Sequence, residues 1–308
     1  MALPGSKVTK VSSIGRVAHK NELFLMNRGS LTMNELRLFL YVISQIPWGY
    51  RRSSQGTPTP SIEVSERVVA RVLNLTGSKR SWASRLTQII HDMKVAYASI
   101  VDADGRTFNI SWFRCIAYDP GKKMFTFTFD SMLMPFFCGL SSGRFTLYEL
   151  GYVFQLSSVH SVRLYDTLKE FAHRGDFYVS LNDLRTRLGL LLYDENKKIV
   201  GYKVSDFKKL NAQVLGPAVS EINDRTDLKV SYVAQRGVPN GPGRAAVEGI
   251  VFTVHTKENF VADFSDLEAL NKGGKVSTVS DEQLLKFAIS DEPPAQLSLW
   301  GSTAEGGT

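Results

Sequence analysis

Two segments of the chain carry basic and amide side chains on one helical face and apolar side chains on the other. In DFKKLNAQVLGPAVSEIN, a turn of about 100° per residue puts Phe207, Leu210, Val214, Ala218 and Ile222 on an apolar stripe. Lys209, Gln213, Gly216 and Ser220 fall on the opposite arc. Lys208 precedes them, and Asn211 leans toward the apolar side. In SKRSWASRLTQIIHDMK the stripe is Trp82, Leu86, Ile89 and Met93. Arg80, Ser84, Thr87, Gln88 and His91 then face outward, flanked by Lys79 and Arg85. Such a face suits recognition rather than catalysis. Glutamine can pair with adenine through two hydrogen bonds, glycine permits close approach to a groove, and cations suit phosphate. Arg225, Lys229, Arg236 and Arg244 cluster near one hairpin as candidate phosphate contacts. The plainer alternative is a solvated helix face.

Catalytic patterns fail one by one. The histidines His19, His91, His160, His173 and His255 are scattered without metal-ligand spacing, so a metal-dependent strand-nicking site does not assemble. Cys115 and Cys138 are the only cysteines, which rules out a disulfide framework and a cysteine-based zinc site. Gly237 to Arg244, GVPNGPGR, lacks the Lys-Ser/Thr ending of a phosphate loop. Asp102 and Asp104 sit in DADG, a hairpin turn. No catalytic residue, metal or cofactor is expected.

Charge points the same way. The chain of 308 residues has 37 Lys and Arg against 30 Asp and Glu. Four lysines and nine acidic residues lie in Thr256 to Thr308, leaving 33 basic and 21 acidic residues, a net +12, in Met1 to His255. A basic body of this size predicts an acidic polymer as partner. No run approaches the roughly 18 apolar residues that span a bilayer, and no secretory signal opens the chain, so a cytoplasmic protein without membrane contact is expected.

The elements that position these faces occur twice. Thr32, with Glu35 three residues on, caps a helix that ends before Pro47. The strand SIEV, a helix from Ser65, a helix over Ser81 to Lys94 and strands to Asp130 follow. The second half runs through SVHSVRLYDTLKEFA, FYVS, SLNDLRTRLGL, a helix over Val204 to Arg225, in which Pro217 predicts a kink, and the strands LKVSYVA and EGIVFTV. At an offset of 115, Ser65 matches Ser180, Val69 matches Leu184, Leu73 matches Leu188 and Leu75 matches Leu190. This is the winged helix-turn-helix order. The expectation is an α+β chain of two tandem winged helix-turn-helix domains. Its boundaries are a flexible basic arm over 1–20, a first domain over 21–140, a second and principal reader over 141–256, and a partly disordered acidic tail over 257–308.

The second half also carries a specific resemblance. Ser161-Val162-Arg163-Leu164-Tyr165, then Glu221-Ile222-Asn223 and Thr226-Asp227-Leu228, resemble the signature of theta-type plasmid replication initiators, the iteron-binding Rep proteins. LTMNELRLFLYVISQI resembles the opening helix of that family's first domain. The resemblance covers roughly residues 20 to 255. It implies monomers on directly repeated origin duplexes, opening of an adjacent A·T-rich segment, and recruitment of host proteins such as the host initiator and replicative helicase. It also implies a monomer–dimer equilibrium with self-repression by the dimer. A repressor of the same architecture is the alternative. The chain departs from the pattern before VLGPAVSEIN, where Asn211-Ala212-Gln213 stand in place of several basic residues.

The tail holds one motif. Gln296-Leu297-Ser298-Leu299-Trp300 resembles the pentapeptide that binds the bacterial sliding clamp, with tryptophan in the aromatic place. Two leucines and an aromatic suit a hydrophobic pocket, and Pro293-Pro294 upstream favours an extended peptide.

Overall fold

The computed structural model describes residues 15–24, 31–47, 50, 59–75, 79–101, 106–140, 145–194, 199–238, 245–258, 260 and 274–278. The chain divides into two compact units, Gly29–Ser142 with Gly273–Thr308, and Met1–Arg28 with Gly143–Lys272. The first described strand, β1 (Arg16–Lys20), belongs to the latter unit. Among the described residues no helix is long and apolar enough to cross a membrane.

The first domain opens on α1 (Met33–Ser44), with the expected capping box: the Thr32 N–H donates to Glu35 Oε2 at 2.8 Å. Strand β2 (Pro60–Ser65) leads into α2 (Glu66–Val72), and six residues separate α2 from α3 (Lys79–Val95). The hairpin β3 (Tyr97–Val101) and β4 (Thr107–Ser111) precedes the hairpin β5 (Phe113–Asp119) and β6 (Met124–Phe129), and a short helix, α4 (Met134–Phe137), ends the run. TFNISWFRCIAYD, which reads as one strand, breaks at Trp112, a fully buried side chain. Phe39 of α1 meets Trp112 at 4.5 Å between ring centres, and Phe129 stacks on Phe113 at 4.9 Å. This aromatic core seats the helices on the sheet.

The second domain begins with β7 (Phe145–Glu149) and α5 (Leu150–Gln155). Its scaffold helix is α6 (Val159–Phe171), followed by β8 (Asp176–Ser180) and α7 (Leu181–Arg187). A hairpin that the sequence reading lacks, β9 (Leu191–Tyr193) and β10 (Ile199–Tyr202), comes next. It displaces the expected start of the third helix from Val204 to Phe207, behind an Asp206 cap. The wing strands β11 (Leu228–Arg236) and β12 (Val247–Thr256) pair antiparallel with one register shift between Gln235 and Arg236, and β12 also pairs with β8.

Both chain ends depart from the expected boundaries. Residues 16–20 are no loose arm: β1 pairs antiparallel with β7, and Arg16 Nε donates to Glu149 Oε1 at 2.6 Å. His19 is fully buried against Asp166 of α6 at 3.3 Å. Residues 1–14 lie outside the described ones. From the tail, Gly274–Thr278 forms a strand that pairs with β2 along its whole length, placing Val276 opposite Ile62. The residues beyond 278, with the helix expected at Asp281 to Ile289, lie outside the described ones.

The offset of 115 extends to backbone hydrogen bonds. Ser65 Oγ accepts from the Val68 N–H and Ser180 Oγ from the Asp183 N–H. At the other end, Leu75 N–H donates to Ala70 O and Leu190 N–H to Arg185 O, each at 2.9 Å. The residue between is left-handed in both, Asn74 at φ 52° and Gly189 at φ 70°. These are two copies of one Schellman helix end. A Cβ on Gly189 would fall 1.3 Å from Arg163 Nη1, whereas Asn74 is exposed. Gly189→Ala should therefore destabilise the chain by more than about 1 kcal/mol, and Asn74→Gly should cost nothing or stabilise by up to about 1 kcal/mol. Urea-denaturation midpoints check both.

Candidate nucleic-acid interface

The third helix of the second domain is built in three pieces. A first turn, α8 (Phe207–Leu210), passes into a π-helical turn over Asn211–Leu215, and α9 (Gly216–Arg225) completes it. Leu210, Val214, Leu215, Ala218, Val219 and Ile222 are buried, while Lys208, Lys209, Ala212, Gln213, Pro217 and Ser220 are exposed. The kink expected at Pro217 takes this form. Proline has no N–H, and its ring collides with the carbonyl four residues back in a regular helix; the wider turn just before it relieves the collision.

The family-signature residues turn out to be joints that hold this helix. The Glu221 carboxylate accepts from the Ser157 N–H at 2.8 Å and from Ser157 Oγ at 2.7 Å. Asn223 pairs with the backbone of Val230 in both directions, accepting at 2.6 Å and donating at 2.8 Å. Asp227 accepts from Tyr165 Oη and Lys169 Nζ, each at 2.9 Å. Burial raises the Glu221 pKa, but the hydrogen bonds from Ser161 and Ser157 outweigh it and hold the carboxyl below its ordinary value.

The sequence candidates separate accordingly. Lys208, Lys209 and Gln213 stand exposed on one side of the helix, and Lys229 is exposed on β11. Asn211 is turned inward, accepting from the Tyr232 hydroxyl at 2.6 Å. Arg225 is engaged at the helix end, donating to Gln155 O at 2.9 Å with Glu221 at 3.3 Å. Arg236 is exposed and donates to Ala245 O at the base of the wing tip. Arg244 lies outside the described residues, as do Gln296, Leu297, Ser298, Leu299 and Trp300.

In the first domain Lys79 and Arg80 occupy the first turn of α3, and Ser84, Arg85 and Gln88 are exposed along it, Gln88 Nε2 donating to Asp92 Oδ1 at 2.7 Å. Trp82 is not the core residue that its spacing predicts. It is half-buried, and Ala83 takes the buried place. Trp82 lines an open groove of about 580 Å³ with Arg67, Arg71 and Asn74 of the α2 segment and Lys122 and Lys123 of the β5–β6 turn. The sequence reading missed these four cations. The doubled lysine of the PGKK turn and the i, i+4 spacing of Arg67 and Arg71 were their only traces. At the same offset the second domain has Asn182 and Thr186, so this basic groove belongs to one repeat alone.

Among the described residues no group of histidine, cysteine and carboxylate side chains could hold a metal ion. Two winged helix-turn-helix domains with exposed lysine, arginine and glutamine on their third helices define a tandem winged-helix protein. Residues 16–169 match the family model described as "Initiator Replication protein, WH1", and residues 180–254 match "Initiator Rep protein, WH2". The chain belongs to this family of plasmid replication initiators. It is 25% identical over 200 residues to the PI protein of Escherichia coli, a match covering 63% of this chain and 58% of that relative. The crystal structure of Pi initiator protein in complex with iteron DNA superposes with a TM-score of 0.61 at 20% identity, covering 82% of this chain and all of that one.

The depressed carboxyl at Glu221 makes a pH test. A group whose folded pKa lies below its unfolded value adds stability that is present above the unfolded pKa and lost as pH falls through the folded one. Glu221→Gln should lower the thermal midpoint at neutral pH, and the gap from the wild type should close below about pH 4.

Proposed function

We propose that the chain initiates plasmid replication by binding directly repeated duplex sites, the iterons of an origin, and acts by binding rather than by catalysis. The observation that carries this reading is the pairing of the two initiator-domain matches with two unlike reading helices in one chain. On a duplex, the helix of the second domain would enter the major groove with Lys208, Lys209 and Gln213 toward base edges and phosphates. The wing would bring Lys229, Arg236 and Arg244 to the backbone. The helix of the first domain would offer Lys79, Arg80, Ser84, Arg85 and Gln88, with the Arg67, Arg71, Lys122 and Lys123 groove taking phosphate. The Pi initiator protein is in complex with iteron DNA in its crystal structure, which supports the same ligand class here.

Two unlike domains make an asymmetric reader. A monomer should protect a directional site of about 20 base pairs, two helical turns. A dimer, acting on the chain's own promoter, should instead need an inverted repeat. Footprinting on the DNA that flanks the gene tests this. Protection of tandem direct repeats is the expected result, and protection of palindromes alone would leave only the repressor.

Initiation further requires host proteins, and we assign the bacterial sliding clamp to Gln296-Leu297-Ser298-Leu299-Trp300. The host initiator and replicative helicase complete the proposed set, in the bacterial cytoplasm. Binding energy in such peptides concentrates in buried aromatic and aliphatic anchors. Leu299→Ala with Trp300→Ala should abolish retention of the clamp in a pull-down while duplex affinity stays unchanged. Failure of the intact protein to retain the clamp would remove the partner but not the DNA-binding function.

A further inference from the structure

The reading helix of the second domain has a period that a regular α-helix does not have. Its buried residues Leu210, Val214, Ala218 and Ile222 recur every fourth residue, and so do the exposed Lys209, Gln213 and Pro217. A step of four residues in an α-helix overshoots a full turn by about 40°, so three steps would swing the stripe by about 120°. The π turn over Asn211–Leu215 inserts one residue and takes back about 100° of that swing. It is closed by the Gly216 N–H bonding to Asn211 O. With this turn the four buried residues fall on one narrow stripe, and Pro217 comes round to the exposed side that carries Lys209 and Gln213.

What holds the turn comes from the wing. Tyr232 of β11 packs beside Phe252, 6.0 Å between ring centres, and its hydroxyl donates to Asn211 Oδ1 at 2.6 Å. A Cβ on Gly216 would lie 3.0 Å from Asn211 O and 3.7 Å from Tyr232 Oη, so helix and strand approach closely at this point. We propose that the Tyr232–Asn211 hydrogen bond holds the wide turn and thereby sets the direction in which Lys209 and Gln213 are presented, making Tyr232 and Asn211 positioning residues for sequence specificity. The proposal rests on the DNA-reading role assigned above. Neither residue then needs to touch a base, and the wing acquires a second role besides reaching the backbone.

The experiment uses the intact chain, the duplex that it selects from a random-sequence library, and a scrambled duplex of the same composition. Tyr232→Phe keeps the ring packing and removes the hydroxyl. Its ratio of selected to scrambled affinity should fall about tenfold, the size expected when one base contact is misdirected. Its salt dependence should not change, because no phosphate contact is lost. Its thermal midpoint should stay within a few degrees. Asn211→Ala should lose the same discrimination, and the double variant should be no worse than either single one, as coupled partners require. Unchanged discrimination in Tyr232→Phe would overturn the proposal. So would equal loss on both duplexes, or an additive loss in the double variant, which would make Asn211 a base contact in its own right. A wild-type protein that selects no preferred duplex would instead bring down the DNA-reading role itself.

Discussion

The second domain hangs on the Asp227 carboxylate. It stands between the end of the reading helix and the first wing strand, and it ties both to the scaffold helix α6 through Tyr165 and Lys169. The site is mostly buried, with side-chain exposure of 15% for both Lys169 and Asp227. A carboxylate withdrawn from water this far must be satisfied by donors in fixed positions, and those donors lie on adjacent turns of one face of α6. The reading helix and wing therefore take their orientation from α6 and not from each other alone. Glu221 and Asn223 add two more joints of the same kind, one to the start of α6 and one to β11. The family signature is explained by this framework: its polar residues hold the helix in place, while the helix's exposed side carries Lys209 and Gln213.

The two domains share a device and differ in their exposed faces. Helices α2 and α7 each start on a serine cap and end in a left-handed residue, with matching hydrogen bonds. Six residues separate α2 from the next helix, whereas the β9–β10 hairpin follows α7. The first domain gains Arg67 and Arg71 beside a lysine turn; the second has neutral side chains there and a longer wing. Backbone geometry is shared between the two copies, while the side chains on their outer faces diverge.

The structure also changes the meaning of the chain ends. β1 supplies Val17, Ala18 and His19 to the interior of the second domain, and the strand from the tail covers the outer edge of β2. An uncovered β2 would present a row of unpaired backbone groups, which is a template for pairing with other chains. Segments that read as an arm and a tail thus contribute parts of two sheets.

Much of this protein was determined by local signals in the sequence. Thr32, Ser65 and Ser180 act through backbone groups three residues away, so the helix starts were legible in the chain. The strict alternation of MFTFTFD set β6, and the apolar stripe of the reading helix identified Lys209 and Gln213 as its outer face. The repeat at 115 residues and the signature residues likewise needed no coordinates. Only the tertiary structure decided what depends on distant partners. The pairing of β1 with β7, the tail strand on β2, the groove around Trp82 and the hydrogen bond from Tyr232 to Asn211 each join residues that no local pattern connects. A periodic pattern specifies which face of an element is apolar, but the identity of the surface that covers it emerges only when the chain closes on itself.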